Sequence, residues 1–87
     1  MTLRFTLYSR SWCHLCEDMQ AALAACMARL GRAYTLDVVD VVDVDADPAL
    51  VARYDELVPV LAGPDGAEIC HYFLDEPALL ATLETAA

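Results

Sequence analysis

The stretch Leu3-Arg4-Phe5-Thr6-Leu7-Tyr8-Ser9-Arg10-Ser11-Trp12-Cys13-His14-Leu15-Cys16 changes its period halfway along. Leu3, Phe5 and Leu7 alternate with Arg4, Thr6 and Tyr8, the period of two that marks a strand with one buried face. Ser9 to Trp12 is a short connection. From Cys13 onward the apolar residues recur every three or four positions, at Leu15, Met19, Leu23, Met27 and Leu30, which is the stripe of an amphipathic helix. The alanines between them favour helix. Gly31 suits the position just after the last turn, and Arg29 puts a cation where the helix dipole favours one. A strand therefore runs into a helix, and two cysteines three residues apart sit at the junction.

That junction carries chemistry. Cys13 falls at a helix N-terminus, where unpaired N–H groups and the dipole stabilise an anion, and the thiolate is the reactive form of cysteine. Cys16 lies about one turn on and can attack a mixed disulfide formed at Cys13, releasing the product. The competing readings are half of a zinc site and two inert thiols. Zinc needs two further ligands, usually at a second C-x-x-C or H-x-x-x-H spacing; Cys26, Cys70, His14 and His71 do not supply that spacing. His14 either stabilises a Cys13 thiolate, making the disulfide more oxidising, or is a solvated residue of the first turn. Trp12 either shields the disulfide, presents a docking surface, or simply packs.

Downstream, the valine-rich segment Ala33 to Asp45 reads as a strand. Within it Asp37-Val38-Val39 is repeated as Asp40-Val41-Val42, and a three-residue duplication flips the in/out parity of a strand, so a bulge or a frayed start is expected there. Asp47-Pro48 opens a second helix as N-cap and first helical residue, with Leu50, Val51 and Tyr54 on its apolar side and an end near Asp55-Glu56. Leu57 to Ala62 reads as a strand that contains Pro59. Gly63-Pro64-Asp65-Gly66 is a turn, and Ala67 to Phe73 is the returning strand. Asp75 caps a last helix whose first turn holds Glu76 and Pro77 and whose buried side is Leu79, Leu80 and Leu83. The order is β-α-β-α-β-β-α: a parallel pair with a right-handed crossover, then a hairpin. The compact solution is an α/β domain, a four-stranded mixed sheet flanked by three helices, spanning 1–87 as one unit.

Composition narrows the function. The 87 residues are 59% hydrophobic and carry a formal charge of −9, from 14 carboxylates against five arginines and no lysine. Such a chain lacks the clustered cations that bind nucleic acid or an anionic membrane. No apolar stretch approaches the roughly 20 residues of a membrane span. The opening Met1-Thr2-Leu3-Arg4-Phe5 shows no basic n-region and no apolar h-region and reads as a mature cytoplasmic N-terminus. In a reducing compartment a close cysteine pair is catalytic or metal-binding rather than a structural staple. Cys26 lies on the helix stripe and reads as a core thiol; Cys70 and His71, on the last strand, point to opposite faces. The acidic run Asp37, Asp40, Asp43, Asp45 and Asp47 lacks the glycine of a calcium loop and reads as a solvated strand edge that discourages edge pairing.

Pro59 admits two readings. With a cis Val58–Pro59 bond, its ring can face Cys13, and the Val58 N–H and C=O stay free for an extended peptide; with a trans bond it is an edge-strand proline. Taken together, the C-x-x-C at the first strand–helix junction, the βαβαββα order and Val58-Pro59 before the hairpin resemble the glutaredoxins and, more widely, small thioredoxin-fold proteins. The Cys13-His14-Leu15-Cys16 centre is similar to that of compact bacterial glutaredoxin-like proteins. The resemblance implies a cis Val58–Pro59 bond, Cys13 as nucleophile, Cys16 as resolving thiol, Val58 as the residue whose backbone meets substrate, and Arg10 as a cation for a substrate carboxylate. It implies a cytoplasmic thiol–disulfide oxidoreductase, monomeric, with no bound cofactor, acting on protein disulfides or glutathione mixed disulfides, with glutathione as candidate reductant. The sequence departs from the glutaredoxin pattern at His14-Leu15, which replaces Pro-Tyr, and at His71-Tyr72, which stands where a Gly-Gly pair is usual. Asp75 is either the glutathione-holding aspartate or a helix cap. The alternative functions are a binding module or redox sensor without turnover, and a metal or iron–sulfur carrier.

Overall fold

A computed structural model describes residues 2–10, 13–41, 48–54 and 57–85, the side chain of Leu50 excepted. Strand β1 (Leu3–Ser9) leads to helix α1 (His14–Leu30), strand β2 (Tyr34–Asp40), helix α2 (Pro48–Tyr54), strands β3 (Val60–Ala62) and β4 (Glu68–His71), and helix α3 (Glu76–Thr85). The sheet order is β2-β1-β3-β4; β1 and β2 are parallel and the other two pairings antiparallel. Among the described residues no helix is long and apolar enough to cross a membrane.

The alternation of β1 separates two cores. Leu3, Phe5 and Leu7 face α1 and α3, where they join Met19, Leu23, Cys26, Met27, Leu61, Cys70, Leu79 and Leu83 in the larger cluster. Tyr8 and Val60, out of phase with Leu7 and Leu61, belong to a smaller cluster with Val41, Tyr54, Val58 and Leu57. Because successive strand residues point to opposite faces, this second cluster lies across the sheet, and α2 supplies its Tyr54. The Tyr8 and Tyr54 rings stack there at 4.3 Å between centroids.

The register of β2 against β1 runs unbroken from Leu3 opposite Tyr34 to Ser9 opposite Asp40, so the expected bulge is absent from these residues. The Asp-Val-Val duplication acts differently. Tyr34 and Leu36 pack on the larger core, Val38 in the same phase is 52% exposed, and Val41 in the opposite phase is fully buried in the smaller core. The odd repeat moves the valines from one face to the other, and the backbone does not shift to compensate. Asp43, Asp45 and Asp47 lie outside the described residues, while Asp37 is exposed and ion-paired with Arg4 at 2.7 Å. The irregularity occurs instead in the hairpin: Leu61 faces Cys70 but Ala62 faces Glu68, leaving Ile69 as the extra residue. Its turn closes through the Gly66 N–H to the Gly63 carbonyl at 2.9 Å, with Gly66 at φ 84°.

Three further expectations are corrected. The predicted strand from Leu57 to Ala62 starts only at Val60, so Pro59 precedes β3 rather than interrupting it. On α1 the fully buried row is Cys16, Met19, Leu23, Cys26 and Met27. Leu15 sits at the margin of that row, half-buried, and Leu30 is exposed in the last turn of the helix. Leu30 and Leu80 are each 43% exposed and line one shallow groove between α1 and α3.

Helix α1 stops at Gly31, whose φ of 64° lets its N–H reach the Ala28 carbonyl while the Arg32 N–H reaches that of Met27. A Cβ on Gly31 meets nothing within 4 Å. The Gly31→Ala variant therefore suffers only the left-handed backbone penalty, about 1 kcal/mol. In thermal unfolding this is expected as a midpoint roughly 4–8 °C lower.

Candidate functional site

The sheet register gathers three chain segments at one end. Tyr8 lies opposite Val60, and Val60 opposite His71. The C-terminal end of β1, the residue preceding β3 and the residue following β4 are thus neighbours: Ser9, Pro59 and Tyr72. At this end β1 hands over to α1 through Cys13. Ser9 is buried; its carbonyl accepts the Val41 N–H at 2.9 Å and its hydroxyl donates to the Arg10 carbonyl at 3.4 Å, fixing the end of the strand.

Cys13 is the N-cap of α1, in extended conformation at φ −103° and ψ 103°. Its Sγ accepts the Cys16 N–H at 3.1 Å and its carbonyl accepts the Glu17 N–H at 3.3 Å. A cysteine sulfur here does what a serine oxygen does in an ordinary cap, and after reduction the same N–H and the positive end of the helix would favour its thiolate. Cys13 and Cys16 are joined by a disulfide, with Cα atoms 5.2 Å apart. The two sulfurs are not equivalent in access: Cys13 is half-buried and Cys16 is 2% exposed. Of the pair, the residue at the N-cap is therefore the more accessible.

Arg10 and His14 are both exposed, one at the end of β1 and one in the first turn of α1. Among the described residues neither makes a hydrogen bond or ion pair to the two cysteines. Trp12 lies outside the described residues. The Val58–Pro59 peptide bond is cis, as the resemblance implied, and Pro59 is fully buried. One expectation fails here: the Val58 N–H is not free. It donates to the Tyr54 carbonyl at 3.1 Å, beside the Leu57 N–H at 2.9 Å, because the end of α2 needs donors for its last carbonyls. The Val58 carbonyl receives no hydrogen bond from the described residues.

The other cysteines are set apart from this chemistry. Cys26 is 3% exposed within the larger core. Cys70 is also buried, and burial pushes its thiol pKa up, which keeps it protonated and weakly nucleophilic. Asp75 is a helix cap: its carboxylate accepts the Ala78 N–H at 3.1 Å.

Sequence reasoning missed Tyr72. Its φ is 65°, a left-handed conformation that costs a non-glycine residue about 1–2 kcal/mol. Its N–H donates to the Pro59 carbonyl at 2.9 Å, and the Phe73 N–H reaches back to the His71 carbonyl at 2.8 Å, closing a three-residue turn around it. The available signal was His71-Tyr72 standing where the resemblance to glutaredoxins leads one to expect glycines, residues that tolerate this φ at no cost.

The comparisons agree with this geometry. A family model described as Glutaredoxin-like domain (DUF836) matches residues 4–84. No curated protein matches the chain. Among solved structures, protein Ne2328 from Nitrosomonas europaea is similar over 93% of this chain and 91% of that one, with 33% identity and a TM-score of 0.79. Thioredoxin O1 from Arabidopsis thaliana in its oxidised state has 15% identity, covers 97% of this chain and 77% of its own, and gives a TM-score of 0.57. The thioredoxin of Fasciola hepatica has 20% identity, covers 99% and 82%, and gives 0.55. At these identities the two thioredoxins speak for the fold alone, which is thioredoxin-like. The family match over nearly the whole chain, on a thioredoxin fold with a cysteine pair at its first strand–helix junction, makes this chain a member of the glutaredoxin-like (DUF836) family.

Proposed function

We propose that the chain is a cytoplasmic, monomeric thiol–disulfide oxidoreductase in which Cys13 is the nucleophile and Cys16 the resolving thiol. The observation that carries this is the asymmetry of the pair: an accessible sulfur at a helix N-cap, receiving a backbone N–H at 3.1 Å, beside a buried one. In the reduced protein the Cys13 thiolate attacks one sulfur of a substrate disulfide. A Cys13–substrate disulfide forms, and the departing substrate thiolate takes up a proton. The Cys16 thiolate then attacks the Cys13 sulfur, the protein disulfide forms, and the second substrate thiol leaves. Two electrons have passed from the protein dithiol to the substrate. Glutathione, or a thioredoxin-reductase-like partner, returns them.

Around this exchange, Arg10 offers a cation to a substrate carboxylate, His14 stands next to the nucleophile, and the Val58 carbonyl accepts one backbone hydrogen bond from an extended substrate. Since the Val58 N–H is already engaged, that pairing is one-sided.

The test is a redox titration in glutathione buffers with thiol trapping and mass spectrometry. A glutathione adduct on Cys13 and a potential of about −200 to −230 mV support a glutathione-coupled enzyme. A potential of about −270 mV without the adduct supports reduction by a protein partner. A Cys13–Cys16 pair that forms no disulfide across the titration overturns the proposal.

A further inference from the structure

Two exposed aromatic residues follow β4 at the redox end of the sheet. Phe73, at 68%, is the most exposed large apolar side chain among the described residues, and Tyr72 is 39% exposed. Backbone hydrogen bonds fix the turn that presents them. Tyr72 keeps a φ of 65° in a turn closed by the Phe73 N–H, and its own N–H is tied to the Pro59 carbonyl. The His71 ring packs edge-on against Tyr72 at 4.8 Å between centroids, and Glu68 holds His71 at 3.2 Å. Backbone strain of this kind persists where the surroundings over-determine it, and it collects at ligand clamps. The register places this turn next to Pro59 and at the same sheet end as Cys13.

Resting on the oxidoreductase reading, we infer that the Tyr72-Phe73 turn selects the substrate: an extended protein segment with an apolar side chain beside its disulfide cysteine and basic rather than acidic flanks. The apolar side chain covers the Phe73 ring while the cysteine reaches Cys13. Away from Arg10, which can meet a single carboxylate, the chain's charge of −9 favours cationic flanks and works against disulfides bearing several carboxylates, such as oxidised glutathione.

The experiment uses the reduced full-length chain in single-turnover reactions. The probes are two Arg-ended peptides whose single cysteine is mixed with thionitrobenzoate, one with leucines beside the cysteine and one with glycines. Attack on the peptide sulfur releases the coloured thiolate. Wild type is expected to react about tenfold faster with the leucine peptide, the gain from covering one apolar side chain. Phe73→Ala brings the ratio close to one, Phe73→Leu keeps most of it, and Tyr72→Gly, which frees the turn and removes a ring, lowers it. Equal wild-type rates for the two peptides, an undiminished ratio in Phe73→Ala, or faster reaction with oxidised glutathione than with either peptide overturns the inference and leaves the oxidoreductase reading standing. No reaction with any disulfide, and no Cys13 adduct, overturns both.

Discussion

Cys13→Ser is expected to lower the rate of disulfide reduction by about 10³-fold or more, because a serine hydroxyl at neutral pH does not replace a thiolate as nucleophile toward sulfur. The fold should survive. Cys13 is half-buried, and serine is among the best N-caps, so the bond from the Cys16 N–H has a ready acceptor in the variant. Cys16→Ser separates the two roles. It leaves the first exchange intact and removes the second, so a substrate stays attached to Cys13 and the trapped adduct appears in the mass spectrum. A stopped assay with both variants decides the assignment. If Cys16→Ser loses the adduct and Cys13→Ser accumulates it, the roles are reversed.

The second large effect concerns stability. Phe5→Ala is expected to cost about 3–5 kcal/mol, the range for emptying a fully buried aromatic site. Phe5 has no exposed surface, sits in the larger core, and meets the Tyr34 ring edge-on at 6.1 Å. A domain of 87 residues has about 4–13 kcal/mol of stability in total. The variant should therefore lose tens of degrees from its thermal midpoint or be partly unfolded at room temperature. Circular dichroism melts of the two proteins, in the same redox buffer, measure this directly. A shift of only a few degrees would mean that the core collapses around the vacancy.

Much of the architecture was readable from periodicity. The alternation of Leu3, Phe5 and Leu7 and the row Met19, Leu23 and Met27 placed β1 and α1, and with them both cysteines, where they are found. Asp75 and Gly31 ended or began helices as their chemistry requires. What escaped depended on neighbours far away in sequence. Leu30 and Leu80 line a shallow groove between α1 and α3, and how closely two helices pack there is something no local pattern encodes. Asp-Val-Val twice over reads equally well as a bulge or as a change of buried face; only the partner strand β1 decides it. The Val58 N–H looked free until α2 was seen to end within its reach. Tyr72 escaped because an aromatic residue gives no local hint of a positive φ, and its conformation follows from Pro59 and His71 on either side.

The two clusters on opposite faces of the sheet are unequal. The larger joins all four strands to α1 and α3, while the smaller rests on four buried residues, of which α2 contributes Tyr54 alone. A seven-residue helix cannot hold itself in water and depends on such tethers. Loosening Tyr54 would release α2 while the rest of the sheet stands, a sub-global opening well below the free energy of full unfolding. The carbonyl of Tyr54 is also what occupies the Val58 N–H. Each such opening would return that donor to a passing chain, right beside the cis Val58–Pro59 bond.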